Sequence, residues 1–102
     1  MIHVVAIITA KPGLRERMLE VFRANVPAVL AEAGCIAYEA VVDANGAAAG
    51  YAQFGADTFV VVERWESMQA LQAHAVSPHM KAYGAKVKEW IASRAVHVLE
   101  PV

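Results

Sequence analysis

Two histidines, His74 and His79, are the side chains of this chain best suited to proton transfer, and they flank a Ser77-Pro78 pair. Imidazole changes its charge near neutral pH, so either ring could take a proton from a bound ligand. Either ring could instead be a packing residue that is hydrogen-bonded to a backbone carbonyl. A zinc site is not expected, because histidines five positions apart do not share a helical face and no cysteine or carboxylate cluster accompanies them.

Glu63 and Trp65 alternate with Phe59 and Val61, so these four side chains are expected on one face of a strand. A carboxylate among apolar neighbours needs a partner or has a raised pKa, which makes Glu63 a candidate for ligand contact. A tryptophan in such a position is more often part of the core than of a binding site.

Asn25 lies on the apolar side of a predicted helix, close to Pro27. Proline has no N–H to give to the carbonyl of Arg23, so we expect the helix to kink there. The Asn25 amide then either satisfies the freed carbonyl or reaches into a pocket.

Strands and helices that could position these side chains follow from the hydrophobic pattern. Strands are predicted over residues 2–10, 35–43 and 58–66 and from Arg94 onward, because these runs are rich in β-branched residues and end at turn signals. Apolar residues at helical spacing predict a helix from Leu14 to Ala33 that ends at a Gly34 cap.

The remaining segments are shorter. Asn45-Gly46 is typical of a hairpin turn, and a short strand is predicted near Tyr51 to Phe54. Ser67 and Ser77 are expected to cap two further helical segments. The first of these segments should turn three side chains inward, those of Met68, Leu71 and Ala75.

The element order β-α-β-β-α-β predicts an α+β fold of the ferredoxin-like, split βαβ type, in a single domain over residues 1–102. The two helices of this pattern can cover only one face of the sheet. The first strand is nevertheless apolar on both sides, with Ile2, Val4, Ala6 and Ile8 alternating with Val5 and Ile7. A second copy of the chain is the simplest cover for the other face, so we expect a homodimer.

The composition excludes several classes of function. A hydrophobic fraction of 58% without a continuous apolar window of membrane-spanning length argues for oligomerisation and against a transmembrane helix. A net charge of -1 with both signs dispersed argues against nucleic-acid binding. The single cysteine, Cys35, excludes an intrachain disulfide, and the absence of a signal-peptide pattern at the N-terminus favours a cytoplasmic location.

Four stretches carry a resemblance to a known family: "KPG" at residues 11–13, "GC..Y..V.D" at 34–43, "E.WES...L.AH...PHMKAY" at 63–83, and the final "LEPV". The chain resembles the antibiotic biosynthesis monooxygenases, and within them most closely the bacterial quinol monooxygenases. The resemblance implies a dimeric α+β barrel with one pocket per subunit between sheet and helices. It also implies oxygenation of a quinol or similar dihydroxy-aromatic by O2 without metal, flavin or haem.

Haem-degrading enzymes share the fold that this resemblance implies. They carry asparagine, tryptophan and an iron-binding histidine where this chain has Ala6, His74 and Tyr83, so haem degradation is the less favoured alternative. A non-catalytic dimeric module that binds quinones or small aromatics is the other.

The site expected from the resemblance and the residue pattern has two groups of side chains. His74 and His79 are the candidate catalytic residues, as base and as donor to the oxygen species, with His74 ranked first because it should face the sheet near Trp65. The candidate substrate-binding residues are Trp65, Tyr51, Phe54, Tyr83, Glu63 and Asn25.

Overall fold

The computed structural model describes residues 1–46 and 49–102. In chain order the elements are β1 (Ile2–Ala10), α1 (Arg15–Leu30), β2 (Cys35–Val41), β3 (Thr58–Trp65), α2 (Met68–Ala75), α3 (Pro78–Val87) and β4 (Ile91–Leu99), with a 3-10 turn at Lys88–Trp90 before β4. The four strands form one antiparallel sheet in the order β2-β3-β1-β4. The predicted α+β fold with ferredoxin-like strand order is therefore confirmed.

The two faces of the sheet have different environments. Along β1 every second side chain, from Ile2 to Ala10, is buried beneath the helices, and the side chains between them are half-buried. The same alternation places Val4 on the helix-covered face and Val62, the β3 partner of Val5, on the opposite face. Val62 is 36% exposed, whereas Val4 is 1% exposed. The apolar character of both faces is therefore real, and only one of them is covered by this chain.

The helix starts agree with the predicted caps. The Ser67 Oγ accepts a hydrogen bond from the backbone N–H of Ala70, and the Ser77 Oγ accepts one from Met80. Pro78 occupies the first turn of α3, where its missing N–H costs nothing. The Ser77 cap stabilises the break between α2 and α3 that separates His74 from His79.

The end of α1 differs from the prediction. The helix ends at Leu30 with Ala31 as its cap. The N–H of Ala31 still donates to the carbonyl of Pro27, four residues back, whereas the N–H of Glu32 donates to that of Val29, three residues back, in a tighter turn. Gly34 has a φ of +83°, but it lies in the turn that follows and does not cap the helix. Its positive φ and its contact with α2 explain the glycine instead. The kink at Pro27 stays a prediction.

Two strand boundaries and one predicted strand also differ from the prediction. β2 ends at Val41, because Asp43 leaves the sheet and its carboxylate accepts the N–H groups of Phe54 and Gly55. No strand forms within the described residues 49–57, so the predicted strand at Tyr51–Phe54 was wrong. β4 begins at Ile91, three residues earlier than expected, where it pairs with Ala10 across a register shift.

The inward face of α2 was also predicted in part. Leu71 packs against the core as expected, and Ala75 lines the space beneath the helices although it is exposed, whereas Met68 is 42% exposed at the helix start. His74 is the buried residue of this helix. None of the helices over residues 1–46 and 49–102 combines the length and apolar composition needed to cross a bilayer.

Candidate functional site

A cavity of about 440 Å³ lies between the helix-covered face of the sheet and the helices α1, α2 and α3. Its volume is within the range of cavities that hold small organic molecules. The wall is mostly aliphatic and aromatic, with Phe22 and Phe59 packed edge to face at a ring-centroid distance of 6.0 Å. Six polar or ionisable side chains also line this mostly apolar wall, namely Tyr38, Glu63, His74, Tyr83, Lys88 and Arg94.

His74 lies on the wall of the cavity at the C-terminal end of α2. His74 is 5% exposed, and its ring packs against Trp65 and Tyr38 with centroid distances of 4.6 and 5.6 Å. Nδ1 is hydrogen-bonded to the Glu32 carboxylate at 2.7 Å, whereas Nε2 has no partner among the described residues. Every fully buried side-chain nitrogen or oxygen of the described residues has a hydrogen-bond partner. Nε2 has none, so it is not fully buried and is accessible.

His79, the second candidate catalytic residue, lies near the start of α3. It is not part of the cavity wall, and its Nε2 is hydrogen-bonded to Oε2 of Glu32 at 2.8 Å and lies 3.3 Å from the Ser77 Oγ. The two histidines therefore meet at one carboxylate oxygen. Glu32 belongs to the turn after α1, and sequence analysis did not identify it because no motif or spacing relates it to the histidines.

Glu63 is the buried carboxyl of the cavity wall. It is 6% exposed, and Oε1 accepts a hydrogen bond of 2.9 Å from Nε1–H of Trp65. Burial raises the pKa of the Glu63 carboxyl above its ordinary value, and the Trp65 hydrogen bond and nearby His74 offset part of that rise. Oε2 has no hydrogen-bond partner in the described residues, so it is accessible to a ligand by the same reasoning as Nε2 of His74.

Two tyrosines also belong to the polar part of the wall. Tyr38, opposite Glu63 in the β2–β3 pairing, stacks on Phe22 at a centroid distance of 5.2 Å. Burial, and secondarily the Glu63 charge, raises the pKa of the Tyr38 phenol above its ordinary value, and burial raises the pKa of Tyr83 to about 12. Both phenols therefore stay protonated at neutral pH and can donate hydrogen bonds. Tyr38 was not predicted as a site residue, although its alternation in β2 was a usable signal.

Four of the predicted substrate-binding residues do not reach the cavity of their own chain. Tyr51 and Phe54 are 75% and 56% exposed, because the segment that carries them forms no strand over the sheet. Trp65 is fully buried behind His74 and Glu63, so it supports the wall but does not form it. The Asn25 amide donates to Sδ of Met80 at 3.4 Å, and not to the carbonyl that Pro27 frees. Glu63 and Tyr83 do line the cavity.

The Glu32 carboxylate and the imidazoles of His74 and His79 lie close enough together to be compared with a metal site. One ligand atom from each of Glu32, His74 and His79 lies within 4.8 Å of the others. Two of these separations, 2.7 and 2.8 Å, are those of direct N–H···O hydrogen bonds. In this arrangement the three groups satisfy one another, and a metal at ~2.0–2.1 Å from each would have to replace those bonds.

The model of the antibiotic biosynthesis monooxygenase family matches residues 1–86, which include Tyr38, Glu63, His74 and Tyr83 of the cavity wall. The chain belongs to this family. It is 38% identical over 103 aligned residues, 99% of this chain and 98% of the relative, to a protein of Escherichia coli (strain K12) named "Probable quinol monooxygenase YgiN". Family and relative together make the chain an oxidoreductase of the monooxygenase type.

Solved structures support the same assignment at the level of the fold. The crystal structure of PA3566 from Pseudomonas aeruginosa superimposes with a TM-score of 0.81 at 25% identity, over 99% of this chain and 93% of that one. The structure of Rv0793 from Mycobacterium tuberculosis gives a TM-score of 0.80 at 30% identity, over 99% and 94%. The resemblance to the antibiotic biosynthesis monooxygenases, inferred from the four sequence stretches, is confirmed.

Proposed function

We propose that this chain is a cofactor-independent monooxygenase that oxidises a quinol or a similar dihydroxy-aromatic with O2, and that it acts as a homodimer. The observation that carries the proposal is the pairing of an accessible imidazole nitrogen, Nε2 of His74, with a mostly apolar cavity large enough for a one- or two-ring aromatic. The name of the E. coli relative supports a quinol as the substrate class.

The first chemical step is removal of a hydroxyl proton by Nε2 of His74. A quinol bound in the cavity, against Phe22 and Phe59, would present one hydroxyl to this nitrogen and could present the other to Oε2 of Glu63. A base within hydrogen-bond reach raises the fraction of quinolate anion, and the anion is far more electron-rich than the quinol. The apolar wall limits access of water to the reactive species that follow.

The quinolate can reduce O2 by one electron, and the resulting radical pair combines to form a carbon–oxygen bond. The proton held on His74 returns to the peroxide as this bond forms. Loss of one water from the hydroperoxide leaves a new carbonyl, so that quinol and O2 yield an oxygenated quinone and H2O. If the oxygen species escapes before it combines, the same reactants yield the quinone and H2O2.

Oxygen uptake with menadiol tests the proposal, using protein treated with a chelator and corrected for autoxidation of the quinol. We expect uptake well in excess of autoxidation, and ¹⁸O from ¹⁸O2 in the product distinguishes oxygenation from simple oxidation. His74→Ala should lower kcat by ~10²-fold or more, as expected for loss of a general base. His79→Ala should affect kcat less, because His79 does not line the cavity.

Two outcomes would overturn the proposal. Tight binding of menadione without turnover of menadiol would instead indicate a non-catalytic quinone-binding module. A wild-type kcat in His74→Ala would show that the proton is removed elsewhere, and Glu63→Gln would then be the next variant to assay.

A further inference from the structure

We propose that Glu32 is the positioning residue of the site, which holds His74 in the one neutral tautomer that can act as a base toward the cavity. This inference rests on the proposed function for its catalytic consequence, but its structural content can be tested without turnover. It concerns a residue that neither lines the cavity nor touches the proposed substrate position.

The two hydrogen bonds to Glu32 determine where the ring hydrogens lie. An ionised carboxylate only accepts hydrogen bonds, so a ring nitrogen 2.7 or 2.8 Å from its oxygen must carry a hydrogen. For neutral His74 this places the hydrogen on Nδ1 and the lone pair on Nε2. Nε2 is the nitrogen without a protein partner, so the tautomer that Glu32 selects is the one with a free lone pair at the cavity wall.

His79 is the second donor to the same oxygen. Its side chain is 28% exposed, compared with 13% for Glu32 and 7% for His74, so the three groups lead from solvent to the cavity wall. The His79 N–H keeps Oε2 of Glu32 in a defined position and takes up its second lone pair. His79 therefore helps to position Glu32, and through it His74. This role fits a histidine that does not itself line the cavity.

Glu32 also stabilises the charge that His74 acquires. When Nε2 takes a proton, the imidazolium lies 2.7 Å from a carboxylate oxygen that is mostly shielded from water. The other ionisable groups near the ring are Glu63 and Tyr38 on the sheet side and His79 beyond Glu32. Glu32 is the only group among the described residues that forms an ion pair with His74, and replacing it removes that attraction while the cavity wall stays in place.

The geometry depends on a close contact between backbone segments. Glu32 is two residues before Gly34, whose carbonyl accepts the N–H of Glu66 at 2.9 Å. At Gly34 the turn lies so near α2 that even an added Cβ would stand 2.6 Å from Cβ of Ala70. This contact brings the turn after α1 within reach of the last turn of α2, where His74 lies.

The decisive experiment is a ¹H–¹⁵N spectrum of the imidazole rings, recorded at a pH where they are neutral, for wild type and Glu32→Gln. In the wild-type protein we expect His74 to carry its hydrogen on Nδ1. In Glu32→Gln the amide can donate as well as accept, so the Nε2–H tautomer should gain population. A wild-type His74 that is predominantly Nε2–H overturns the proposal directly.

Steady-state kinetics supply the second readout. Glu32→Gln should lower kcat for menadiol by roughly tenfold to 10²-fold and leave KM within about twofold, because the carboxylate acts on the base and not on the substrate. Glu32→Asp, which keeps the charge, should recover part of the loss. Glu20→Gln, an exposed glutamate of α1, is the matched control and should behave as wild type.

The outcomes separate this inference from the proposed function. If Glu32→Gln only lowers the melting temperature, with tautomer and kcat unchanged, Glu32 is a structural residue and the inference is wrong. If the tautomer changes as expected but wild-type protein does not oxidise quinols, the positioning by Glu32 stands and the proposed function fails.

Discussion

Replacing Gly34 by alanine should destabilise the protein through two separate effects. The first is backbone strain, because Gly34 has a φ of +83° and a residue with a Cβ in this region costs about 1–2 kcal/mol. The second is steric overlap, because the new Cβ would lie 2.6 Å from Cβ of Ala70, well below the ~3.5–4.0 Å of a carbon–carbon contact. Overpacking of this kind costs about 1–3 kcal/mol, so the total is about 2–5 kcal/mol.

Gly13 is the matched control for the backbone effect. It has a φ of +80°, yet an added Cβ would meet nothing within 4 Å. Gly13→Ala should therefore cost only about 1–2 kcal/mol. The difference between the two variants isolates the overlap with α2, and it is best measured by urea unfolding at one fixed protomer concentration.

A double-mutant cycle with Ala70 tests the origin of that difference. Ala70→Gly alone should cost about 1 kcal/mol through helix propensity, but in the Gly34→Ala background it should recover stability by removing the overlapping atom. The Gly34→Ala variant should also lose kcat, because the displaced turn carries Glu32 away from His74. The reasoning is refuted if Gly34→Ala costs no more than Gly13→Ala, or if Ala70→Gly gives no recovery.

The remaining predictions concern the buried carboxyl and the two faces of the sheet. Because the pKa of Glu63 is raised by burial, the native state favours its protonated form, and the free energy of unfolding should fall as pH rises above the ordinary value of 4.5. Glu63→Gln keeps an acceptor for Trp65 and removes the charge, so it should melt higher than wild type at pH 7 and no higher at pH 3.5; a lower melting temperature at pH 7 would contradict this. Val4→Lys, on the helix-covered face, should unfold the chain, whereas Val62→Glu, on the other face, should leave circular dichroism nearly native and shift sedimentation toward monomer. A dimer that persists in Val62→Glu would exclude this part of the sheet as the interface.

Local rules account for the parts of the fold that were predicted correctly. The alternation in β1 and β3 and the serine caps at Ser67 and Ser77 involve residues within a few positions of one another, so the sequence pattern contains all the information needed. The family resemblance added the fold and the class of reaction, and both were confirmed.

The candidate site was predictable only in part, for reasons that lie in packing. Glu63 was identified as a carboxylate among apolar strand neighbours, and His74 as an imidazole whose place in its helix should face the sheet near Trp65; both are properties of local sequence. Trp65 was assigned to the wall, but a side chain of its size filled the layer behind Glu63 and His74 instead. Tyr51 and Phe54 were assigned to the lining because they are aromatic, yet their segment does not pair with the sheet and leaves them exposed.

The sequence by itself determined the order of strands and helices, the apolar character of both sheet faces and the break between the two histidines. Tertiary structure alone decided that Nδ1 of His74 and Nε2 of His79 meet one oxygen of Glu32, which is 42 residues from the first and 47 from the second along the chain. The physical reason is that such a meeting depends on how closely the turn after α1 approaches α2. That distance is set by the packing of layers at Gly34 and Ala70, which no periodicity within a single segment records.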